Sequence, residues 1–152
     1  MVFLENNERA CLCRLELDLQ HALQRMRILV VDDEPSQCRS LSMGLRGEGF
    51  FVFQANSAKE AIRIIDMQEV DVAILDIMMP GISGLELGRL IRDSYPGIKI
   101  ILVSAYHISE RQVALTGTGA VAFLPKPYRM DRLITFLQVH LPESKADEPI
   151  VL

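Results

Sequence analysis

The chain has 152 residues, enough for one well-filled domain and too few for two. A net charge of −4 without a cluster of Lys and Arg argues against direct nucleic-acid binding, and no apolar run approaches the roughly 20 residues that span a bilayer. The opening MVFLENNERA lacks the basic and then apolar order of an export signal, and Cys11, Cys13 and Cys38 form an odd set without metal-type spacing. A soluble, cytoplasmic protein with reduced thiols and no membrane association is the expectation.

Residues 1–26 form an extension in which Leu12, Leu15, Leu19, Ala22, Leu23 and Met26 recur at helical spacing; Cys13, Leu15, Leu17 and Leu19 also alternate as in a strand, and helix is the preferred reading. From Arg27 onward short apolar runs alternate with amphipathic segments. ILVV (28–31) precedes a helix over 36–47 that closes at Gly47 and Gly49. FFVF (50–53) precedes a helix opened by the capping box Ser57/Glu60, VDVAIL (70–75) one opened by Ser83/Glu86, and IKIILV (98–103) one opened by Ser109/Gln112. AVAFL (120–124) is followed by a helix over 129–141 that ends before Pro142. In ALTGTGA, Gly117 lies between two threonines, all poor helix formers, so the fourth helix is expected to be short or frayed and easily remodelled. Pro125 cannot donate to a ladder, which suits a fifth strand at the border of the sheet. The tail over 142–152, polar with two prolines, reads as a flexible end.

The five apolar runs are too short for helices and mostly lack polar alternation, as in strands buried on both faces of a parallel sheet. Five strand–helix units give an α/β, doubly wound sheet with helices on both faces, whose ligands bind at the carboxyl ends of the strands. Asp32 and Asp33 follow the first strand, Asp76 the third, Ser104 the fourth and Lys126 the fifth, so all five fall on one edge. Three carboxylates there repel one another unless a cation sits among them; with oxygen ligands alone on offer, Mg²⁺ is favoured. Carboxylate, metal, lysine and hydroxyl together make a phosphoryl-transfer site with Asp76 as the nucleophile.

ILVVDDE, LDIMMPGISGLEL, ILVSAY and FLPKPY, each at its proper strand end and in order, resemble the receiver domain of two-component response regulators over residues 27–141. The resemblance implies a flavodoxin-like sheet of order 2-1-3-4-5. It makes Asp76 the phosphoacceptor, Asp33, Asp76 and the backbone carbonyl of Met78 the Mg²⁺ ligands, and Asp32 the acid that holds metal-bound water. Lys126 would contact the phosphoryl group and precede a cis bond to Pro127. Ser104 and Phe123 match the switch pair, the hydroxyl moving toward the phosphoryl oxygens and the ring swinging inward, with the readout on the face of the fourth helix, fifth strand and fifth helix. Met78 and Tyr106 sit where the family tunes the lifetime of its phosphoaspartate. Many such receivers begin near Met26–Arg27, so Met26 is also a candidate start.

The function implied is a stand-alone phosphorylatable switch, because nothing after the fifth helix is long enough for an output domain. It would take its phosphoryl group from a sensor histidine kinase or phosphotransfer protein and signal to a downstream protein; a homodimer through the readout face or the N-terminal segment is a further expectation. It would be no enzyme beyond its own phosphorylation and dephosphorylation. The alternatives are an inactive receiver used as a binding module, against which the intact acids, Ser104 and Lys126 argue, and a Mg²⁺-dependent phosphatase with an aspartyl-phosphate intermediate. Ile77 and Met78 follow Asp76 without a second acid two places on, and no cap insertion is present to enclose a small substrate.

Overall fold

A computed structural model describes residues 10–17, 26–127, 129–141 and 148–152. Six parallel strands form one sheet: β1 (Arg27–Val31), β2 (Phe51–Ala55), β3 (Val72–Asp76), β4 (Lys99–Ser104), β5 (Ala122–Pro125) and β6 (Ile150–Val151), in the order β2-β1-β3-β4-β5-β6. The helices that flank the sheet among the described residues are α1 (Pro35–Gly47), α2 (Ala58–Met67), α3 (Gly84–Ser94), α4 (Glu110–Leu115) and α5 (Met130–Thr135), the last continuing as a π-helical turn over Phe136–His140. This is the doubly wound, flavodoxin-like fold expected.

Alternate strand residues divide the core. Ile28 and Val30 pack with Leu41 and Leu45 of α1 and Leu133 of α5 on one face; Leu29 and Val31 pack with Ala61 of α2, Leu87 and Ile91 of α3 and Val113 of α4 on the other. Both faces are closed, and β3 is buried along its whole length. Each fully buried Leu or Ile contributes about 1.5–3 kcal/mol relative to exposure, so continuous apolar runs, unlike an alternating pattern, belong inside such a sheet.

Two expectations are corrected at the far edge. Among the described residues the sheet has six strands rather than five, because Ile150 and Val151 of the supposed flexible tail pair with Ala122 and Phe123. β5 is consequently not the border strand. Its proline is accommodated because β6 stops in register with Phe123, short of Pro125. Leu152 explains why the tail returns: it is buried among core side chains that include Leu133 and Phe136. Residues 142–147 lie outside those described.

Residues 10–17 are helical, with Leu12, Leu15 and Leu17 exposed; Leu19, Ala22 and Leu23 of the same predicted helix lie outside the described residues. Cys11 and Cys13 are exposed and Cys38 is buried, all as free thiols. Among the described residues no helix is long and apolar enough to cross a membrane.

Candidate functional site

The carboxyl ends of β1, β3, β4 and β5 converge on one patch. Asp32 leaves β1 with its N–H on Ala55 O (3.1 Å) and its carbonyl accepting from Asn56 Nδ2 (2.9 Å). Its side chain is thereby aimed across the sheet edge, where Oδ1 accepts from the Glu34 N–H (2.9 Å) and Oδ2 from Lys126 Nζ (3.2 Å). Asp76, the last residue of β3, accepts from the Met78 N–H at Oδ1 (3.0 Å) and from Lys126 Nζ at Oδ2 (2.7 Å). Asp33 is exposed beside them, and carboxylate oxygens of Asp32, Asp33 and Asp76 all lie within 4.8 Å of one another.

Lys126 is placed by the exit of β5. Its N–H bonds Ser104 O (2.9 Å), which ties that exit to the end of β4, and the Lys126–Pro127 peptide is cis. Glycine shapes the other wall. A Cβ on Gly84, the first residue of α3, would stand 1.9 Å from the Asp76 carbonyl oxygen, so α3 begins in direct contact with the backbone of the central acid. Gly81, at φ +75°, turns the chain between the two.

Ser104 is buried at the end of β4, and its Oγ accepts from the Tyr106 N–H (3.1 Å), which leaves its own O–H to donate. Phe123 is fully enclosed on the face that carries α2, α3 and α4. Met78 and Tyr106 expose their side chains near the mouth of the patch. Gln37 was not anticipated: from the first turn of α1 its Oε1 accepts from Lys126 Nζ (2.5 Å). A polar side chain two residues beyond the N-terminal Pro35 was the available signal, but nothing local shows that it reaches β5.

Burial raises the Asp32 carboxyl above its ordinary range; the Asp76 charge adds to this, while the Glu34 N–H and Lys126 oppose it. Lys126 bonds two of the three acids, Asp32 and Asp76. Among the described residues the donor set at this spacing consists of carboxylate oxygens, which fits a hard divalent cation. A cavity of about 480 Å³ lined by Arg27, Phe51, Phe53 and Met67 contains none of these groups.

Parallel strands thus deliver two buried acids and a lysine to one end of a doubly wound sheet. The chain belongs to the response regulator receiver domain family, whose pattern matches residues 28–138. It is 33% identical over 123 residues to the response regulator MprA of Mycobacterium leprae, covering 81% of this chain and 54% of that protein. It is 37% identical over 121 residues to the regulatory protein VanR of Enterococcus faecium, covering 78% and 51%. The chain thus spans about half the length of these relatives. Among solved structures, a CheY-like receiver domain protein of Methanospirillum hungatei superposes with a TM-score of 0.71 at 32% identity, over 78% of this chain and 95% of that one. TrrA of Thermotoga maritima, solved in complex with Mg²⁺-BeF, gives a TM-score of 0.66 at 38% identity, over 74% and 96%.

Proposed function

We propose that Asp76 accepts a phosphoryl group from a histidine kinase or a phosphotransfer protein, and that the domain reports this through the surface of α4, β5 and α5. The observation that carries the reading is the 2.7 Å contact of Lys126 Nζ with Asp76 Oδ2 inside a group of three carboxylates. A buried acid held by a lysine is placed to exchange that lysine for phosphoryl oxygens.

An Asp76 carboxylate oxygen forms the new bond to phosphorus as the bond to the donor's histidine nitrogen breaks, and the electron pair leaves with that nitrogen. Lys126 then moves its hydrogen bond from Asp76 to a phosphoryl oxygen. Ser104, already satisfied as an acceptor, donates its O–H to another. The cation, Mg²⁺ in this reading, would be held by Asp33, Asp76 and the Met78 carbonyl, with Asp32 holding its water; it supplies positive charge to the transferring oxygens. Met78 and Tyr106 border the route by which water reaches the phosphoaspartate.

The charge and oxygens added at Asp76 bias a surface equilibrium. Ser104 and Phe123 are the coupling residues, and the enclosed Phe123 ring matches the inward position the mechanism assigns to the phosphorylated arrangement. Downstream partners, or a second copy, would read α4, β5 and α5; the exposed Leu12, Leu15 and Leu17 offer a second self-association surface. Free thiols suit a cytoplasmic setting.

Intact mass after incubation with Mg²⁺ and acetyl phosphate tests the assignment. A labile gain of one phosphoryl group, absent from Asp76→Asn, is expected. The same gain in Asp76→Asn, or none in the unaltered chain, would contradict it.

A further inference from the structure

The strand β6 lies along the outer edge of β5, on the face assigned above to the readout. Ile150 donates its N–H to Val121 O (3.1 Å) and Leu152 donates to Phe123 O (2.7 Å). Leu152 is only 8% exposed and sits in the core beside Phe136 and Leu137, whereas Ile150 and Val151 are each 37% exposed. One buried anchor and a few backbone bonds hold the segment, the profile of an element that opens locally before the rest of the fold.

A strand edge is a template for an added extended segment, with the backbone supplying affinity and alternate side chains supplying specificity. The segment seated here touches the strand that bears on Asp76. Residues in register on neighbouring strands share a face, so Val151 lies on the same face of the sheet as Phe123, one strand further out. Three residues beyond Phe123, Lys126 makes its 2.7 Å contact with Asp76. Anything that steadies β5 therefore steadies both the ring and the lysine.

We propose that the outer edge of β5 is a docking surface for an extended apolar segment, that its occupant is the chain's own residues 150–152, and that docking holds β5 in the arrangement that accepts the phosphoryl group. The proposal rests on the phosphoacceptor reading and adds a regulatory contact to it. By linkage, a segment that favours this arrangement is itself held more firmly once Asp76 is phosphorylated. A partner that pairs with the β5 edge must first displace it.

The test follows acetyl phosphate labelling of Asp76 by intact mass in the unaltered chain, in Leu152→Asp, which removes the anchor, in Val151→Gly, which removes the side chain in register with Phe123, and in Leu152→Met as the conservative rescue. Leu152→Asp should label at least threefold more slowly, Val151→Gly should shift the same way, and Leu152→Met should match the unaltered chain. Amide exchange read alongside should show Ile150 and Leu152 losing protection in Leu152→Asp while residues 84–94 keep theirs. Equal labelling rates in the unaltered chain, Leu152→Asp and Val151→Gly would overturn the docking proposal and leave the phosphoacceptor reading standing. No labelling of any chain would overturn that reading and the coupling with it. Slower labelling accompanied by lost protection throughout 84–94 would assign the effect to unfolding and overturn the proposal.

Discussion

The helices α3 and α4 begin alike and end differently. Ser83 accepts from the Glu86 N–H (3.2 Å) while Glu86 accepts from the Ser83 N–H (3.1 Å); Ser109 and Gln112 repeat the exchange at 3.2 and 2.7 Å. Yet α3 runs for 11 residues and buries Gly84, Leu87, Gly88 and Ile91, whereas α4 runs for six and buries only Val113. Capping boxes start helices; packing and breakers decide how far they run. Gly117, at φ +72°, ends α4 just beyond Thr116. The carbonyls left open there are met from α3: Arg89 Nε donates to Thr116 O (2.9 Å), and Arg92 donates to Gly117 O. One helix is a wall against Asp76, and the other is short, lightly packed and held partly by the wall. That division is what a switch requires, a fixed site beside a surface that can change.

Four changes would break or sharpen the contrast. Gly84→Ala drives a Cβ into the Asp76 carbonyl, and overpacking of this kind should cost about 3 kcal/mol in urea unfolding and lower phosphoryl acceptance more than tenfold. Truncating the cores of the two helices should separate them: Leu87→Ala is expected to cost about 3 kcal/mol and Val113→Ala about 2 kcal/mol, read from thermal melts. Gly117→Ala forces an alanine into the left-handed region at about 1 kcal/mol, and should speed amide exchange in α4 without changing α3.

The smallest effect is expected at the opposite end of the sheet, where Asp71 accepts from the Arg27 N–H (2.8 Å) and side chain (3.1 Å). Burial alone would raise the Asp71 pKa, but the Arg27 hydrogen bonds outweigh it and hold the carboxyl below its ordinary value of 3.8. The stabilisation is therefore present above pH 3.8 and lost as pH falls through the depressed folded value. Both side chains are more than a third exposed, so Asp71→Asn should cost less than about 1 kcal/mol at neutral pH, the difference closing in acid.

Sequence patterning reached β1, β3, β4 and β5 because both faces of each are covered, and β2, whose Phe51 is exposed, because its apolar run is short and sits between helices; it reached the acids because strand ends in a parallel sheet share one edge. The short fourth helix was legible in Gly117 and its flanking threonines. Other features depend on distance along the chain or on choices between equal partners. β6 has two residues after a polar stretch, too few for any period to register, and its pairing rests on Leu152 finding the core. Gln37 meets Lys126 across 89 positions. At Ser57 the side chain caps the Glu60 N–H as expected, but Glu60 reaches the Asn56 N–H instead of the Ser57 N–H, so that box is only half formed.

The most direct test of the account is amide hydrogen exchange, comparing the chain with and without Mg²⁺ and acetyl phosphate, with Asp76→Asn as the control. The account predicts that phosphorylation changes exchange in residues 110–125 and 130–140 and leaves residues 84–94 as they were, with no change anywhere in Asp76→Asn. A labelled protein whose α3 and α4 respond equally, or whose α4, β5 and α5 do not respond at all, would contradict it.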